Sequence, residues 1–332
     1  MIYAELAGGL GNQMFIYAFA RALGLRTGQP VTLLDRQDWR DGAPAHTAAA
    51  LHRLCIDPGV RLVADAGFAR RALPLQNALK TLMIKREQRG GMLSADWQGF
   101  EARMAPLLNR LGVHFATDGC TPCRWRGRPR DLLAWGYFQS EAYFADAAPA
   151  VRAELRTRPA VLAAAPAASA ALADRIARAA QPVCLHLRRG DYQAPANAIF
   201  QVCTPDYYRA AVRMAAQAVP GASLFVFSDD EAFARALLAD AALPAVFAPG
   251  GAEAAADLAL MQRCRHFILS NSTFSWWAQY LADAPDKLVF APDRWYANDK
   301  SCALYQPGWR TLPAAAPAQT APAPGKKGDG HA

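Results

Sequence analysis

Residues 183–191 read VCLHLRRGD, and this stretch decides the fold of the second half of the chain. Val183–Leu187 is a short apolar run that predicts one buried strand, and Arg188 and Arg189 follow it directly. Guanidinium groups bind phosphate oxygens in pairs and keep their charge at any physiological pH. The arrangement predicts a phosphate site at the end of this strand; the alternative is a surface arginine pair bound to Asp191.

Predicted strands and helices alternate from this point onward. The strands are Val183–Leu187, Leu224–Ser228, Ala245–Ala248, His266–Ser270 and Leu288–Ala291. The helices between them are Tyr207–Ala218, Glu231–Leu238, Ala254–Arg265 and Phe274–Leu281. This alternation predicts an α/β fold with a doubly wound parallel sheet.

The N-terminal residues predict a second βαβ unit. Ile2–Leu6 and Val31–Leu34 read as strands, and a helix is expected between them from Met14 to about Leu25. Gly9 and Gly11 follow the first strand, where glycine lets a ligand approach the backbone.

A partial dinucleotide fingerprint is present in this unit. Gly9, Gly11 and Asp35 fit the pattern, but Met14 stands at the third glycine position. An NAD-dependent oxidoreductase therefore stays open as an alternative function.

The length of the chain predicts more than one domain, because 332 residues exceed one core of ordinary size. We expect Rossmann-like domains over residues 1–150 and 151–312. Residues 313–332 are Ala- and Pro-rich, which predicts a disordered tail.

The formal net charge of +8 indicates an anionic partner. Much of the excess lies between Arg70 and Arg158, without the interleaved aromatic residues of a nucleic-acid platform. A solvated basic face and a peripheral contact with an anionic membrane both remain open. Since no signal peptide or long apolar run is present, we expect a cytoplasmic protein.

The cysteines predict neither a disulfide framework nor a metal site. There are seven, an odd number, and Cys120 and Cys123 form a lone CxxC. The chain also lacks Asp-x-Asp, the usual carboxylate pair for a divalent cation on a sugar-nucleotide diphosphate. We therefore expect no metal and no cofactor.

Two further strand ends carry polar side chains. Asp229 follows Leu224–Ser228, where its carboxylate can accept hydrogen bonds from guanine or cap the next helix. Asn271-Ser272-Thr273-Phe274-Ser275 follows His266–Ser270 and opens a helix, which predicts an anion site or an ordinary cap.

In seven segments the chain resembles the bacterial α-1,2-fucosyltransferases of glycosyltransferase family 11. These are GGLGNQMFIYAFARAL (8–23), GYFQSEAYF (136–144), HLRRGDY (186–192), FVFSDD (225–230), DLALMQRC (257–264), SNSTFSWWAQYL (270–281) and FAPDRWY (290–296).

The resemblance implies a GT-B-like fold, in which two Rossmann-like domains face a cleft and the C-terminal one holds GDP-fucose. It implies inverting, metal-independent transfer of fucose to a glycan acceptor, with another linkage or GDP-sugar as the nearer alternative. By position, donor-binding residues would be His186, Arg188, Asp229, Asn271, Ser272, Thr273, Phe274, Ser275, Gly9, Gly11, Asn12 and Gln13.

The expected reaction is a direct displacement at the anomeric carbon. Arg188 and Arg189 would neutralise the charge that grows on the departing GDP. The attacking group would be the 2-hydroxyl of a terminal galactose. Asp191 is the nearest candidate for the catalytic base, or it only orients the arginines. A binding module without catalysis is a further alternative, and the oligomeric state is not readable.

Overall fold

Two parallel β-sheets, one in each half of the chain, form the framework of the protein. The computed structural model describes residues 1–35, 50–65, 67–90, 95–117, 121–251, 253–298, 300 and 302–314. No helix in these ranges is long and apolar enough to cross a membrane.

The N-terminal sheet has five strands: β1 (Ile2–Glu5), β2 (Val31–Leu34), β3 (Arg61–Val63), β4 (Val113–Ala116) and β5 (Leu132–Gly136). Their spatial order is β3-β2-β1-β5-β4, and every neighbouring pair is parallel. Four helices accompany it: α1 (Leu10–Thr27), α2 (Phe68–Ala72), α3 (Pro74–Gly90) and α4 (Ala95–Arg110).

Helices cover both faces of this sheet because successive strand residues point to opposite sides. Ile2 and Ala4 pack with α1 in the main core, whereas Tyr3 packs with α2. Phe115 of β4 packs against apolar side chains of α3 and α4, Met83 among them. Helices α2 to α4 therefore form the outer layer, and α1 faces the C-terminal half.

Three helices connect the sheets: α5 (Ala148–Glu154), α6 (Pro159–Ala163) and α7 (Ala167–Arg178). An ion pair of 2.9 Å between Arg21 of α1 and Glu154 fixes α5 to the N-terminal half.

The C-terminal sheet has six strands: β6 (Gln181–Leu187), β7 (Ala222–Ser228), β8 (Ala245–Phe247), β9 (His266–Ile268), β10 (Val289–Pro292) and β11 (Arg310–Leu312). The accompanying helices are α8 (Pro205–Ala218), α9 (Glu231–Leu237), α10 (Ala254–Met261) and α11 (Thr273–Leu281). The order is β11-β10-β9-β6-β7-β8.

This order creates a crevice beside β6. The chain moves outward from β6 to β7 and β8, then returns to add β9 on the other side of β6. Ligands of open parallel sheets bind outside the carboxyl ends of the strands at such a reversal. The residues that follow β6 and β9 therefore lie at the expected binding position.

The α/β fold class and the predicted strands are confirmed, with shifts at the boundaries. The two largest boundary errors are four residues each: α1 begins at Leu10, not Met14, because Gly9 already serves as its N-cap, and α10 ends at Met261, not Arg265. Strands β3, β4, β5 and β11 were not predicted. The domain limits at 150 and 312 stay predictions, and most of the expected tail, 315–332, lies outside the described residues, as does Cys120.

Gly136 at the end of β5 provides a test of this packing. Its φ is +146°, and an added Cβ would lie 1.8 Å from the carbonyl oxygen of Ala116 on β4. We expect Gly136→Ala to lower the free energy of unfolding by about 3 kcal/mol or more, measured by urea denaturation, because strain and steric overlap add.

Gly28→Ala is the matched control. Gly28 also has a positive φ, +65°, but no atom lies within 4 Å of its Cβ position. The Gly28→Ala variant should lose only roughly 1 to 2 kcal/mol of unfolding free energy, the cost of holding alanine in the left-handed region. Equal losses in the two variants would contradict the close contact between β4 and β5.

Candidate functional site

Arg188 lies directly after β6 and is held by two carboxylates. Its guanidinium contacts the Oδ1 of Asp191 at 2.7 Å and the Oδ2 of Asp229 at 2.9 Å. The side chain keeps 23% of its exposure. Two ion pairs at opposite ends of the guanidinium fix its plane, and the exposed remainder is accessible to a ligand.

Arg189 points toward a different neighbour. Its Nε lies 3.1 Å from Asp230, and its guanidinium carbon lies 3.9 Å above the centre of the Phe233 ring of α9. The two adjacent arginines therefore diverge: Arg188 is bound by carboxylates of the strand ends, whereas Arg189 packs on a helix.

Asp229 binds protein groups with both oxygens. Oδ1 accepts the backbone N–H of Arg189 at 2.8 Å, while Oδ2 contacts Arg188. Gly190 allows this approach, since a Cβ there would lie 2.7 Å from the Oδ2 of Asp229. Asp230 supplies the cap of α9 by accepting the Phe233 N–H at 3.0 Å. The predicted guanine contact of Asp229 stays a prediction.

His186 is buried inside β6, beside the same crevice. Its Nδ1 lies 3.0 Å from the hydroxyl of Ser270, and its ring centre lies 5.6 Å from that of Phe274. Burial, together with the positive charge of Arg188, lowers the pKa of His186 to about 4. The imidazole is therefore neutral at pH 7, and its Nε2 has no hydrogen-bond partner among the described residues.

The residues after β9 form the N-terminus of α11. The hydroxyl of Ser272 accepts the N–H of Phe274 at 3.3 Å, which makes Ser272 the N-cap. Ser275 donates its hydroxyl to backbone carbonyls, that of Ser272 at 3.0 Å and that of Ser270 at 3.1 Å. Both predicted alternatives, a cap and an anion site, fit this geometry.

Asn271 anchors two neighbouring loops. Its amide donates to the carbonyls of Phe200 and Trp295, each at 3.0 Å, and its Oδ1 accepts from the thiol of Cys203 at 3.4 Å. The whole side-chain amide is therefore bound to protein, and its predicted contact with a donor stays a prediction.

The N-terminus of α1 meets that of α11. A Cβ on Gly11 would lie 2.6 Å from the hydroxyl oxygen of Thr273 and 2.7 Å from the backbone nitrogen of Phe274. The indole N–H of Trp277 donates to the carbonyl of Gly11 at 2.9 Å. Glycine is thus needed at position 11 for contact between the two halves of the chain.

Asn12 joins the two halves by hydrogen bonds. Its Oδ1 accepts from the hydroxyl of Thr273 at 2.9 Å and from the amide of Gln139 at 3.0 Å. Gly9 begins α1 without any side-chain cap, so first-turn amides remain for another acceptor. Gln13 is buried and donates to the carbonyl of Gly8 at 2.9 Å, inside the N-terminal half.

Gln139 was missed as a site residue by sequence reasoning, although it lies in one of the matching segments. Its Oε1 accepts from the hydroxyl of Tyr296 at 3.2 Å, while its amide donates to Asn12. The preceding residue, Phe138, is buried with a φ of +51°, a strained value of the kind found at functional sites. No sequence signal marks that strain.

Asp257 is the second residue missed. It lies in the first turn of α10, and its Oδ1 is buried without a hydrogen-bond partner among the described residues. Burial raises its pKa to about 7. Its charge acts on Cys184, which points to the same face of β6 as His186.

The described residues contain no group of three His, Cys, Asp or Glu side chains that could hold a metal ion. The positive elements at the crevice are instead Arg188 and the two helix N-termini. These suit a ligand that carries an anionic diphosphate.

Comparison with known proteins identifies the family. The model of glycosyl transferase family 11 matches residues 124–313, more than half of the chain. The O-antigen biosynthesis glycosyltransferase WbnK of Escherichia coli is 25% identical, covering 94% of this chain and all of the relative. An alpha-1,2-colitosyltransferase of Escherichia coli is 25% identical, covering 90% of this chain and 94% of the relative.

Solved structures share the fold. The fucosyltransferase NodZ from Bradyrhizobium has a TM-score of 0.52 at 15% identity, covering 87% of this chain and 94% of that one. A NodZ alpha-1,6-fucosyltransferase soaked with GDP-fucose gives the same values. The chain has a GT-B-like fold of two Rossmann-like domains, and it is a glycosyltransferase that belongs to glycosyl transferase family 11.

Proposed function

We propose that the chain transfers fucose from GDP-fucose to a sugar hydroxyl, with inversion at the anomeric carbon and without a metal ion. The observation that carries this proposal is the position of Arg188, clamped between Asp191 and Asp229 at the reversal of the C-terminal sheet. The fold shared with an α-1,6-fucosyltransferase soaked with GDP-fucose supports the choice of donor.

Fixed positive charge is what the reaction needs. The bond between the anomeric carbon and the β-phosphate oxygen breaks, and GDP departs with the electron pair. Arg188 and the N-termini of α1 and α11 stabilise the growing negative charge, because they are held in place before the reaction begins.

The acceptor hydroxyl attacks from the opposite face, and its proton passes to solvent water. Asp191 was the nearest candidate base by sequence, but its ion pair with Arg188 favours the positioning role. We propose the 2-hydroxyl of a terminal galactose as the attacking group. A glycan precursor, as in O-antigen synthesis, is the proposed acceptor class, in line with the name of the relative WbnK.

The structure favours Asp257 over Asp229 as the acceptor for the guanine edge. Both oxygens of Asp229 are bound by Arg188 and the Arg189 N–H, whereas the Oδ1 of Asp257 lacks a partner. Guanine presents two N–H donors side by side, from N1 and the 2-amino group. A buried carboxylate gains most from such a pair, since an unsatisfied buried acceptor is costly.

A second candidate donor is a GDP-activated colitose. The alpha-1,2-colitosyltransferase is as similar to this chain as WbnK, at 25% identity. Colitose is fucose without its 3-hydroxyl, so the two donors differ in one hydrogen-bonding group. Parallel assays with both donors, with the product linkage determined by NMR, decide between them.

Arg188→Ala should abolish transfer while the protein remains folded. Loss of a charged donor from the leaving-group site is expected to lower kcat by about 100-fold or more. Arg189→Ala is the comparison, and we expect a smaller loss because this side chain packs on Phe233. The measurement is GDP release with GDP-fucose and lactose, after circular dichroism has shown both variants folded. Near-normal rates for Arg188→Ala would refute the assignment.

Treatment with EDTA should leave the transfer rate unchanged, since the proposal assigns leaving-group stabilisation to Arg188 and helix termini. The rate is measured before and after chelation, with Mn²⁺ and Mg²⁺ restored in parallel. A complete loss that Mn²⁺ reverses would overturn the metal-independent mechanism.

Inosine diphosphate lacks the 2-amino group and therefore reports on the guanine contact. We expect the wild-type protein to bind GDP about tenfold more tightly than inosine diphosphate, from one additional hydrogen bond to the buried carboxyl group of Asp257. Asp257→Asn should remove most of this preference. Asp229→Asn should lower the affinity for both ligands equally, because it releases the guanidinium of Arg188. Loss of the preference in Asp229→Asn alone would return the guanine contact to Asp229. Calorimetric titration measures the affinity of the wild type and of each variant for GDP and for inosine diphosphate.

A further inference from the structure

The outer helix layer of the N-terminal half exposes several leucines. The exposed fractions are Leu62 43%, Leu75 56%, Leu82 64%, Leu107 51% and Leu111 36%. Single exposed leucines are ordinary on protein surfaces. Leu75, Leu82 and Leu107 lie on α3 and α4, and Leu111 directly follows α4. Leu62 is the register partner of Leu33 on the face of the sheet that carries α1, so it lies apart from the other four. Among the other large apolar side chains of the described residues, only Leu25 and Met214 are comparably exposed.

The leucines of α3 and α4 lie on one surface. Leu75, Leu82 and Lys85 recur at helical spacing on the exposed side of α3, whereas Met83 is on its buried side. Leu107 is on the exposed side of α4, whereas the adjacent Leu108 is buried. Both helices pack on the same face of the sheet, so their outward sides continue one another.

Exposed basic residues outnumber acidic ones in the part of the chain that carries these leucines. Between residues 61 and 131, the described basic side chains that are exposed are Arg61, Arg70, Arg71, Lys85, Arg86, Arg103, Arg110, Arg124, Arg126, Arg128 and Arg130. Asp96 is exposed in this range, and two partly exposed acidic side chains are already paired there: Asp65 with Arg71, and Asp131 with the N-terminal amine. We name the exposed residues of α2 to α4 and of the loop 121–130 the outer basic surface.

The loop 121–130 is fixed beside α4. The N–H of Arg124 donates to the side-chain oxygen of Asn109 of α4 at 2.6 Å. Trp125 is buried, and its indole N–H donates to the carbonyl of Pro129 at 3.0 Å. Because Trp125 packs in the core that contains α1, the loop lies at the margin of α4, and its exposed arginines form the edge of the outer basic surface.

We propose that the outer basic surface binds an anionic lipid bilayer, a property that goes beyond the proposed transferase reaction. Arginine and lysine side chains interact with anionic headgroups, and leucines between them enter the boundary of the acyl region. Long basic side chains suit this position because their aliphatic stems cover apolar surface while the charge stays at the headgroups. An anionic bilayer explains why α3 and α4 expose both basic side chains and leucines.

A nucleic acid fits the same surface less well. Binding of single strands depends on aromatic side chains that stack on bases. The exposed large apolar residues of the described chain are leucines and one methionine, with no aromatic residue among them. Leucine gains nothing from a phosphate backbone but gains from an acyl boundary.

The test is co-sedimentation of the full chain with large vesicles. Vesicles containing phosphatidylglycerol should bind the protein, pure phosphatidylcholine vesicles should not, and binding should weaken in high salt. Lys85→Gln, Arg103→Gln and Arg110→Gln together should lower the partition coefficient by about 5-fold for each charge removed. Leu82→Gln with Leu107→Gln should lower it by about tenfold.

Arg213→Gln with Met214→Gln is the matched control. These neighbours are exposed on α8 in the C-terminal half, so one charge and one apolar group are removed elsewhere. Vesicle binding of this variant should equal that of the wild type. GDP affinity and thermal stability should be unchanged in all three variants, which separates membrane binding from the transferase site.

Two outcomes overturn the proposal. One is the absence of binding to phosphatidylglycerol vesicles at low salt. The other is a loss of binding in the charge variant with full binding in the leucine variant, which would mean a purely electrostatic patch that RNA or any polyanion occupies equally well.

Discussion

The structure depends on the close approach of two helix N-termini across the interface between its halves. Gly11 of α1 lies against Thr273 and Phe274 of α11, at a distance that no side chain at position 11 allows. Each helix N-terminus carries roughly half a positive charge. Bringing two of them together is unfavourable unless an acceptor or an anion lies between them. Asn12 supplies part of the compensation by accepting from Thr273 and Gln139.

Arg188 adds a full positive charge beside these helix N-termini, and the groups around it explain why its guanidinium is held in one orientation. Asp191 and Asp229 hold the guanidinium from two sides, and Gly190 leaves the space that Asp229 needs. Such ion pairs at a partly exposed position contribute little to stability. In the proposed reaction their value lies in orientation, because a group fixed before the reaction needs no rearrangement when charge develops on the leaving group.

The order of the strands brings these elements together. Because β9 returns to the side of β6 opposite β7, the segment after β6 and the segment after β9 open onto the same crevice. The N-terminal half faces this crevice with the start of α1 and with Gln139 from the end of β5. Hydrogen bonds from Thr273 and Tyr296 to that half hold the two sides at a fixed separation. The site is therefore a property of both halves.

The sequence alone determined the first βαβ unit, the alternating strands and helices of the C-terminal half and the arginine pair, because apolar periodicity and strand-end chemistry are local. It also placed Ser272 at a helix start. It did not reveal β3, β4, β5 or β11. The tertiary structure decided which side chains form hydrogen bonds and ion pairs with one another. Asn12 and Thr273 are 261 positions apart, and Arg189 and Asp229 are 40 apart. No local pattern shows that Asp229 is bound on both oxygens while Asp257 lacks a partner, or that Arg188 and Arg189 diverge. Those facts follow from burial and from contacts between distant segments, which exist only after the sheets have formed.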